Sequence, residues 1–207
     1  NLTYQNPDGE TILHQMAAHD FADLIEETIK LTPELSFIKN KHTRYPIHTS
    51  ILNGHLKNVA LLLQVKDADQ LKDSEGWTAL HYAARFSEDE ILQLCCEMSS
   101  DLNVPDYAGR TPLMLAAELG RLPTVKMLIA NGARIDLTDG QGWTVFHHAV
   151  QSKNLELVSW LLKHTMVDIN ATDVQQKTPL KLSELGRDEQ MTSLLLSNGA
   201  AILPPTK

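Results

Sequence analysis

A chain of 207 residues, 43% of them hydrophobic, holds enough apolar surface for a packed core, which argues against global disorder. The formal charge of −8, from 26 acidic and 18 basic residues, repels phosphate backbones and argues against nucleic acid as a partner. No apolar run approaches the about 20 residues that a membrane-spanning helix needs. No N-terminal targeting segment is visible, and the start at Asn1 rather than Met reads as a piece of something longer. The adjacent Cys95 and Cys96 read as free thiols, which suits a reducing compartment, cytoplasmic or nuclear.

Taken from the N-terminus, the chain repeats one unit. Asn6, Gly9 and Thr11 open the first copy: an Asn and a Gly for a tight turn, then a hydroxyl placed to cap a helix. Small residues Ala17 and Ala18 follow, then a second helix around Ile25 and a longer connection through Pro33. The second copy starts at Asn40 but carries Thr43 for the turn Gly and Tyr45 for the cap. Its hairpin is therefore expected to be distorted, and Pro46 marks the first helical position. The third copy has Asp73, Gly76 and Thr78, then Ala83 and Ala84. It lacks a Gly in its helix–helix turn, where Phe86, Ser87 and Glu88 stand and the acidic run to Glu90 favours a helix start. The fourth has Asp106, Gly109 and Thr111-Pro112, an apolar face of Val125, Leu128 and Ile129, and Asn131-Gly132 as a left-handed stop. The fifth has Asp139, Gly142 and Thr144, with Leu157, Val158, Leu161 and Leu162 at helical spacing. The sixth has Asp173 and Thr178-Pro179, turns polar at Lys181, Ser183, Glu184 and Asp188, and ends on Asn198-Gly199. Its polarity reads as a C-terminal cap, before a tail of Pro204 and Pro205.

The Thr-or-Tyr positions step by 34, 33, 33, 33 and 34 residues. A turn and two short helices cannot bury an apolar face alone, so the units must stack. The segments Thr78-Ala79-Leu80-His81-Tyr82-Ala83-Ala84, Thr111-Pro112-Leu113-Met114-Leu115-Ala116-Ala117 and Asn131-Gly132-Ala133 resemble the ankyrin repeat. The resemblance covers residues 6 to 203 and implies an all-α repeat solenoid with protruding β-hairpins. One domain spans 1–207, with repeats at 6–39, 40–72, 73–105, 106–138, 139–172 and 173–203.

The resemblance also implies a function: recognition of a protein partner by hairpin tips and the adjoining concave inner-helix face, not catalysis. Partner-binding candidates are Trp77, Arg110 and Trp143, which share one slot in three consecutive copies. Tyr107, Phe86, Arg85, Glu75, Arg44 and Gln141 extend the set. The expectation is one stripe on repeats three to five, although an indole can instead lie over a neighbouring hairpin. An adaptor is the first reading and a targeting module of a larger enzyme, channel or pathogen effector the second. An inhibitor of a Rel-type transcription factor is the third. The segment from Leu162 to Asn170, with Asp168 two before the Asn, is similar to ankyrin segments hydroxylated by a 2-oxoglutarate-dependent asparaginyl hydroxylase. Asn103 matches it less well.

Metal and catalytic chemistry have less support. His14, His48, His81 and His147 occur one per repeat in the slot that the resemblance makes structural. Stacking at about 10 Å would keep them too far apart to share one ion at bonds of about 2 Å. No nucleophile elbow or phosphate-cradling loop occurs, and Cys95 fills the core slot of Leu62 and Leu161. No metal, cofactor or small-molecule substrate is expected.

Overall fold

Each of the six signals opens a helix one residue later, and a second helix follows. The computed structural model describes residues 3–87 and 89–202; Glu88 and the tail prolines Pro204 and Pro205 lie outside the described residues. The first helices of the pairs are α1 (Ile12–Ala17), α3 (Pro46–Leu52), α5 (Ala79–Phe86), α7 (Pro112–Glu118), α9 (Val145–Gln151) and α11 (Pro179–Leu185). The second helices are α2 (Ala22–Leu31), α4 (Leu56–Leu63), α6 (Asp89–Met98), α8 (Leu122–Ala130), α10 (Leu155–His164) and α12 (Glu189–Ser197). The long first connection contains a 3-10 turn, Pro33–Phe37, that buries Leu35.

The chain divides into two compact units, Asn1–Tyr107 and Ala108–Lys207, and the division falls inside the turn that begins the fourth repeat. In the first unit α3 packs between α1 and α5, and α4 between α2 and α6. In the second, α9 packs between α7 and α11, and α10 against α12. The cores are aliphatic: Leu13, Ile47, Ile51, Leu62, Leu80 and Leu92 in one unit, Leu113, Leu115, Val125, Leu128, Leu157 and Leu161 in the other. Ala83, Ala84, Ala116 and Ala117 are fully buried, as close approach of first helices requires. Gly132 and Gly199 take left-handed conformations at the ends of α8 and α12, as their sequence context predicts.

The hairpins are simpler than β-ribbons, and one local expectation about them is corrected. The connecting hairpins form no regular strands among the described residues; one isolated antiparallel bridge, Thr138 to Thr144, is present. The hairpin of the second repeat is not distorted. Thr43 adopts φ 60° in the slot where Gly9, Gly76, Gly109 and Gly142 lie at 74°, 83°, 84° and 78°. Asn40 N–H still donates to the Arg44 carbonyl at 2.9 Å, and Thr43 N–H to the Asn40 carbonyl at 2.9 Å.

Candidate functional site

The hairpin tips are built by one short network that explains the Asp or Asn five positions before the cap. In the third repeat Asp73 Oδ1 accepts the amide N–H of Glu75 at 2.8 Å and of Trp77 at 2.9 Å. Asp139 does the same for Gln141 and Trp143, Asp173 for Gln175 and Lys177, and Asn40 for His42 and Arg44. Only a short side chain with an oxygen at the right reach closes such a turn.

Successive hairpins are stitched by backbone. Lys41 N–H donates to the Asp8 carbonyl at 2.9 Å and Tyr107 N–H to that of Glu75 at 3.0 Å. In the second unit Gly140 N–H donates to Ala108 and Val174 N–H to Gln141, each at 2.9 Å. At Thr43 the stitch changes: Ser74 N–H donates to the Thr43 hydroxyl at 3.1 Å, and that hydroxyl donates to Ser74 Oγ at 2.8 Å. The threonine thus replaces the usual carbonyl with its own side chain.

The repeated histidines complete the stitching. His14 Nδ1 accepts the N–H of Thr11 at 3.2 Å, so the ring proton sits on Nε2, which lies 3.0 Å from the Arg44 carbonyl of the next hairpin. His147 repeats this with Thr144 and with the Lys177 carbonyl at 3.3 Å. Burial lowers the pKa of both rings, so each is held as the neutral tautomer. Cap chemistry follows from the same residue. At Thr178, Thr111 and Thr144 the hydroxyl accepts the expected helix N–H at 3.2 to 3.5 Å. At Thr11, Thr78 and Thr144 it also meets the imidazole three residues on, and at Thr144 it does both.

The tryptophans share this scaffold. Trp77 Nε1 donates to Asp106 Oδ2 at 3.2 Å, and Trp143 Nε1 to Asp173 Oδ2 at 3.1 Å, each reaching the turn Asp of the following repeat. Both indoles are half-buried. The turn Asp also holds a residue nine positions on, a link that sequence reasoning missed. Tyr82 Oη donates to Asp73 Oδ2 at 2.7 Å, and His148 Nε2 lies 3.0 Å from Asp139 Oδ2. Burial, then the Asp73 bond, pushes the Tyr82 phenol above its ordinary range. Burial alone would raise Asp139, but the His148 bond and the amides of Trp143 and Gln141 outweigh it and leave the carboxyl below its ordinary pKa.

In the first unit these contacts merge into an aromatic ladder. Tyr45 meets His48 edge-on at 5.6 Å, His48 stacks on Tyr82 at 4.5 Å, and Tyr82 meets Trp77 at 5.5 Å and Phe86 at 6.1 Å. Trp77 and Phe86 lie 6.3 Å apart. The Arg85 guanidinium sits over both rings, 5.4 Å from Trp77 and 5.2 Å from Phe86. Tyr107 crosses the same tip: a Cβ on Gly76 would come within 2.7 Å of its nitrogen and 2.9 Å of its ring. Phe86 is 51% exposed and Tyr107 71%. Four predicted residues, Trp77, Arg85, Phe86 and Tyr107, are thus brought together. Glu75 stands exposed at the same tip, and Arg44 is half-exposed one hairpin earlier.

Arg110 and Trp143 belong to the second unit, whereas Trp77 belongs to the first. Arg110 forms an ion pair with Glu118 at 3.3 Å. Trp143 packs on His148 at 5.2 Å and His147 at 6.1 Å, and Gln141 is exposed. At the ends of the first helices, Asn53 in the first unit and Glu118, Leu119 and Gln151 in the second are exposed. Asn170 is tied into its turn: its N–H donates to Asp168 Oδ1 at 2.9 Å and its side-chain oxygen accepts Ala201 N–H at 2.8 Å. Asn103 N–H is held likewise by Asp101 Oδ1 at 2.8 Å.

Cys95 and Cys96 are buried and unbridged; burial pushes their pKa values up to about 12 and about 11, the opposite of an activated thiolate. Among the described residues no group of three or more His, Cys, Asp or Glu side chains is arranged to hold a metal ion. No helix among them is long and apolar enough to cross a membrane.

Comparison with known proteins agrees with this geometry. A family profile described as "Ankyrin repeats (3 copies)" matches residues 64–139 and 129–204. The chain is 24% identical over 205 residues to the nuclear factor NF-kappa-B p105 subunit of Gallus gallus, covering 95% of this chain and 21% of that protein. It is 29% identical over 196 residues to the palmitoyltransferase ZDHHC13 of Homo sapiens, covering 92% of this chain and 31% of that one. The chain therefore spans only a minor part of these relatives. The crystal structure of an ankyrin repeat domain from Acinetobacter baumannii AYE superposes with a TM-score of 0.77 at 24% identity. The match covers 92% of this chain and 98% of that one, a likeness of fold.

Proposed function

Since the chain belongs to the ankyrin-repeat family, whose repeats mediate protein–protein interaction, we propose that it binds a protein partner through its hairpin tips and the adjoining ends of the first helices. One observation carries the reading. Phe86 and Tyr107 are left 51% and 71% exposed against a tip whose other aromatic groups are bonded and packed. Large apolar rings on a rigid support are what interface anchors consist of, and a preformed backbone needs little ordering on association. Trp77 supports the anchor from beneath, through its bond to Asp106.

The activity is binding, not bond-making: the buried thiols are shifted away from reactivity, and the repeated histidines serve backbone carbonyls. A module of a larger protein is the second reading, favoured by the relatives of which this chain matches 21% and 31%. Inhibition of a Rel-type transcription factor is a narrower form of the first, with the NF-kappa-B relative in its support. The test is a partner identified by affinity capture, then titrated against wild type and a Phe86→Ala, Tyr107→Ala variant. Affinity should fall by about tenfold or more while the melting temperature stays close to wild type. Equal affinity for both proteins would move the site elsewhere.

A further inference from the structure

The aromatic ladder of the first unit is lined by cations in a chain whose formal charge is −8. Lys39 lies over Tyr45 at 5.2 Å, Lys72 over Tyr107 at 5.9 Å, and Arg85 over Trp77 and Phe86. The nearby acids are largely engaged. Asp73 takes two amide N–H groups and the Tyr82 hydroxyl, and Asp106 takes the Trp77 indole. Glu75 at this tip and Asp89 and Glu90 at the start of α6 are exposed acids.

Arg85 is the distinctive member. Its guanidinium carbon lies over two rings, 5.4 Å from the centroid of Trp77 and 5.2 Å from that of Phe86. A cation over aromatic rings is attracted by their faces, and the rings supply no oxygen acceptor for its N–H donors. A guanidinium already gathered against two rings loses less rotamer freedom on meeting an anion than a solvated one, and a carboxylate can accept it through two parallel bonds. Exposed Phe86 lies under that charge, and exposed Tyr107 packs on Gly76 in the turn that carries Trp77, so the two rings offer apolar surface on one tip.

We propose that this tip recognises an extended protein segment in which an Asp or Glu stands beside an apolar side chain, the carboxylate on Arg85 and the apolar group on Phe86 and Tyr107. The assignment rests on the reading of the hairpin side as the partner site. The cations Lys72 and Arg85, each over an aromatic ring of this tip, favour an acidic segment at these two points.

The experiment pans a random-peptide phage library on the whole chain. Selected peptides are titrated against wild type, Arg85→Gln, Arg85→Lys and the Phe86→Ala, Tyr107→Ala variant, with a thermal melt of each. The expected peptides carry Asp or Glu next to an apolar residue. Arg85→Gln should weaken them by about tenfold or more, Arg85→Lys should restore only part, and all melts should stay near wild type. Changing the peptide's acid to its amide should cost the same in wild type and nothing further in Arg85→Gln. Peptides that lose binding with Phe86 and Tyr107 but are indifferent to Arg85 would overturn the carboxylate assignment and keep the site. Peptides indifferent to all the variants, or a library without binders, would overturn both.

Discussion

Replacing Gly109 with alanine tests whether hairpin contact, and not only backbone conformation, demands glycine in the turn. Gly109 lies at φ 84°, and an added Cβ would stand 2.6 Å from the Gly140 nitrogen and 3.1 Å from the Asp139 carbonyl carbon. Neither atom can step aside without lengthening the 2.9 Å bond from Gly140 N–H to the Ala108 carbonyl. Gly132, in the same unit at φ 99°, is the control, because a Cβ there meets nothing within 4 Å. Both substitutions carry the left-handed penalty of about 1–2 kcal/mol, offset by about 0.4–1 kcal/mol of lost unfolded-chain entropy. Gly109→Ala adds a broken hydrogen bond, about 0.5–1.5 kcal/mol, and an overlap that relaxes only by backbone shift, about 1–3 kcal/mol. Urea denaturation should therefore find Gly109→Ala less stable than Gly132→Ala by about 2–4 kcal/mol. Equal losses, within about 0.5 kcal/mol, would refute the reasoning, since the turn would then need only its dihedral angle.

Other consequences follow from the core, the histidines and the last turn. Leu80 and Leu113 are each 1% exposed, and either changed to alanine should lower stability by about 2–5 kcal/mol in urea melts; shifts within error would contradict their core position. Burial holds His48 neutral down to about 3 and lowers His14 and His147 as well, whereas unfolded histidines protonate near 6.5. Protons therefore bind the unfolded chain first. Stability should fall as pH drops from about 6.5 toward 5, by up to about 1.4 kcal/mol per pH unit for each such ring. A melting temperature that rises over that window would contradict this, and His48→Gln should flatten the slope. Asn170, if hydroxylated by a 2-oxoglutarate-dependent asparaginyl hydroxylase, should gain one oxygen in peptide mass maps. The reaction should be faster in a variant lacking the terminal repeat, because Ala201 N–H occupies the Asn170 side chain. An unmodified Asn170 in both forms would end the idea.

What the sequence made legible is what obeys local rules. Asp73, Gly76 and Thr78 each answer a nearby backbone need: two amides, a left-handed angle, a helix start. Period and motif therefore gave the helix pairs and the leucine core. Links between residues far apart in sequence were not legible. Trp77 reaches Asp106 and Trp143 reaches Asp173, which only the stacked structure brings together. Thr43 was misread because composition says that a β-branched residue avoids φ 60°, while the hydroxyl that repays the strain appears only with Ser74 in place. The hairpins were readable as turns, but that they are held mainly by carboxylates and single stitches was not. At the candidate site the residue types were readable but their division of labour was not. Trp77 is braced by Asp106, whereas Phe86 and Tyr107 stand open.

The central claim, that a protein partner docks on the hairpin side of the first unit, is tested most directly by amide hydrogen exchange of the chain alone and in complex with its captured partner. The account predicts slowed exchange on binding in the tip from Asp73 to Trp77, at Arg85 and Phe86, and around Tyr107. The second helices α4 and α6 should be unchanged. Protection confined to α4 and α6, with the tips exchanging as in the free chain, would contradict it.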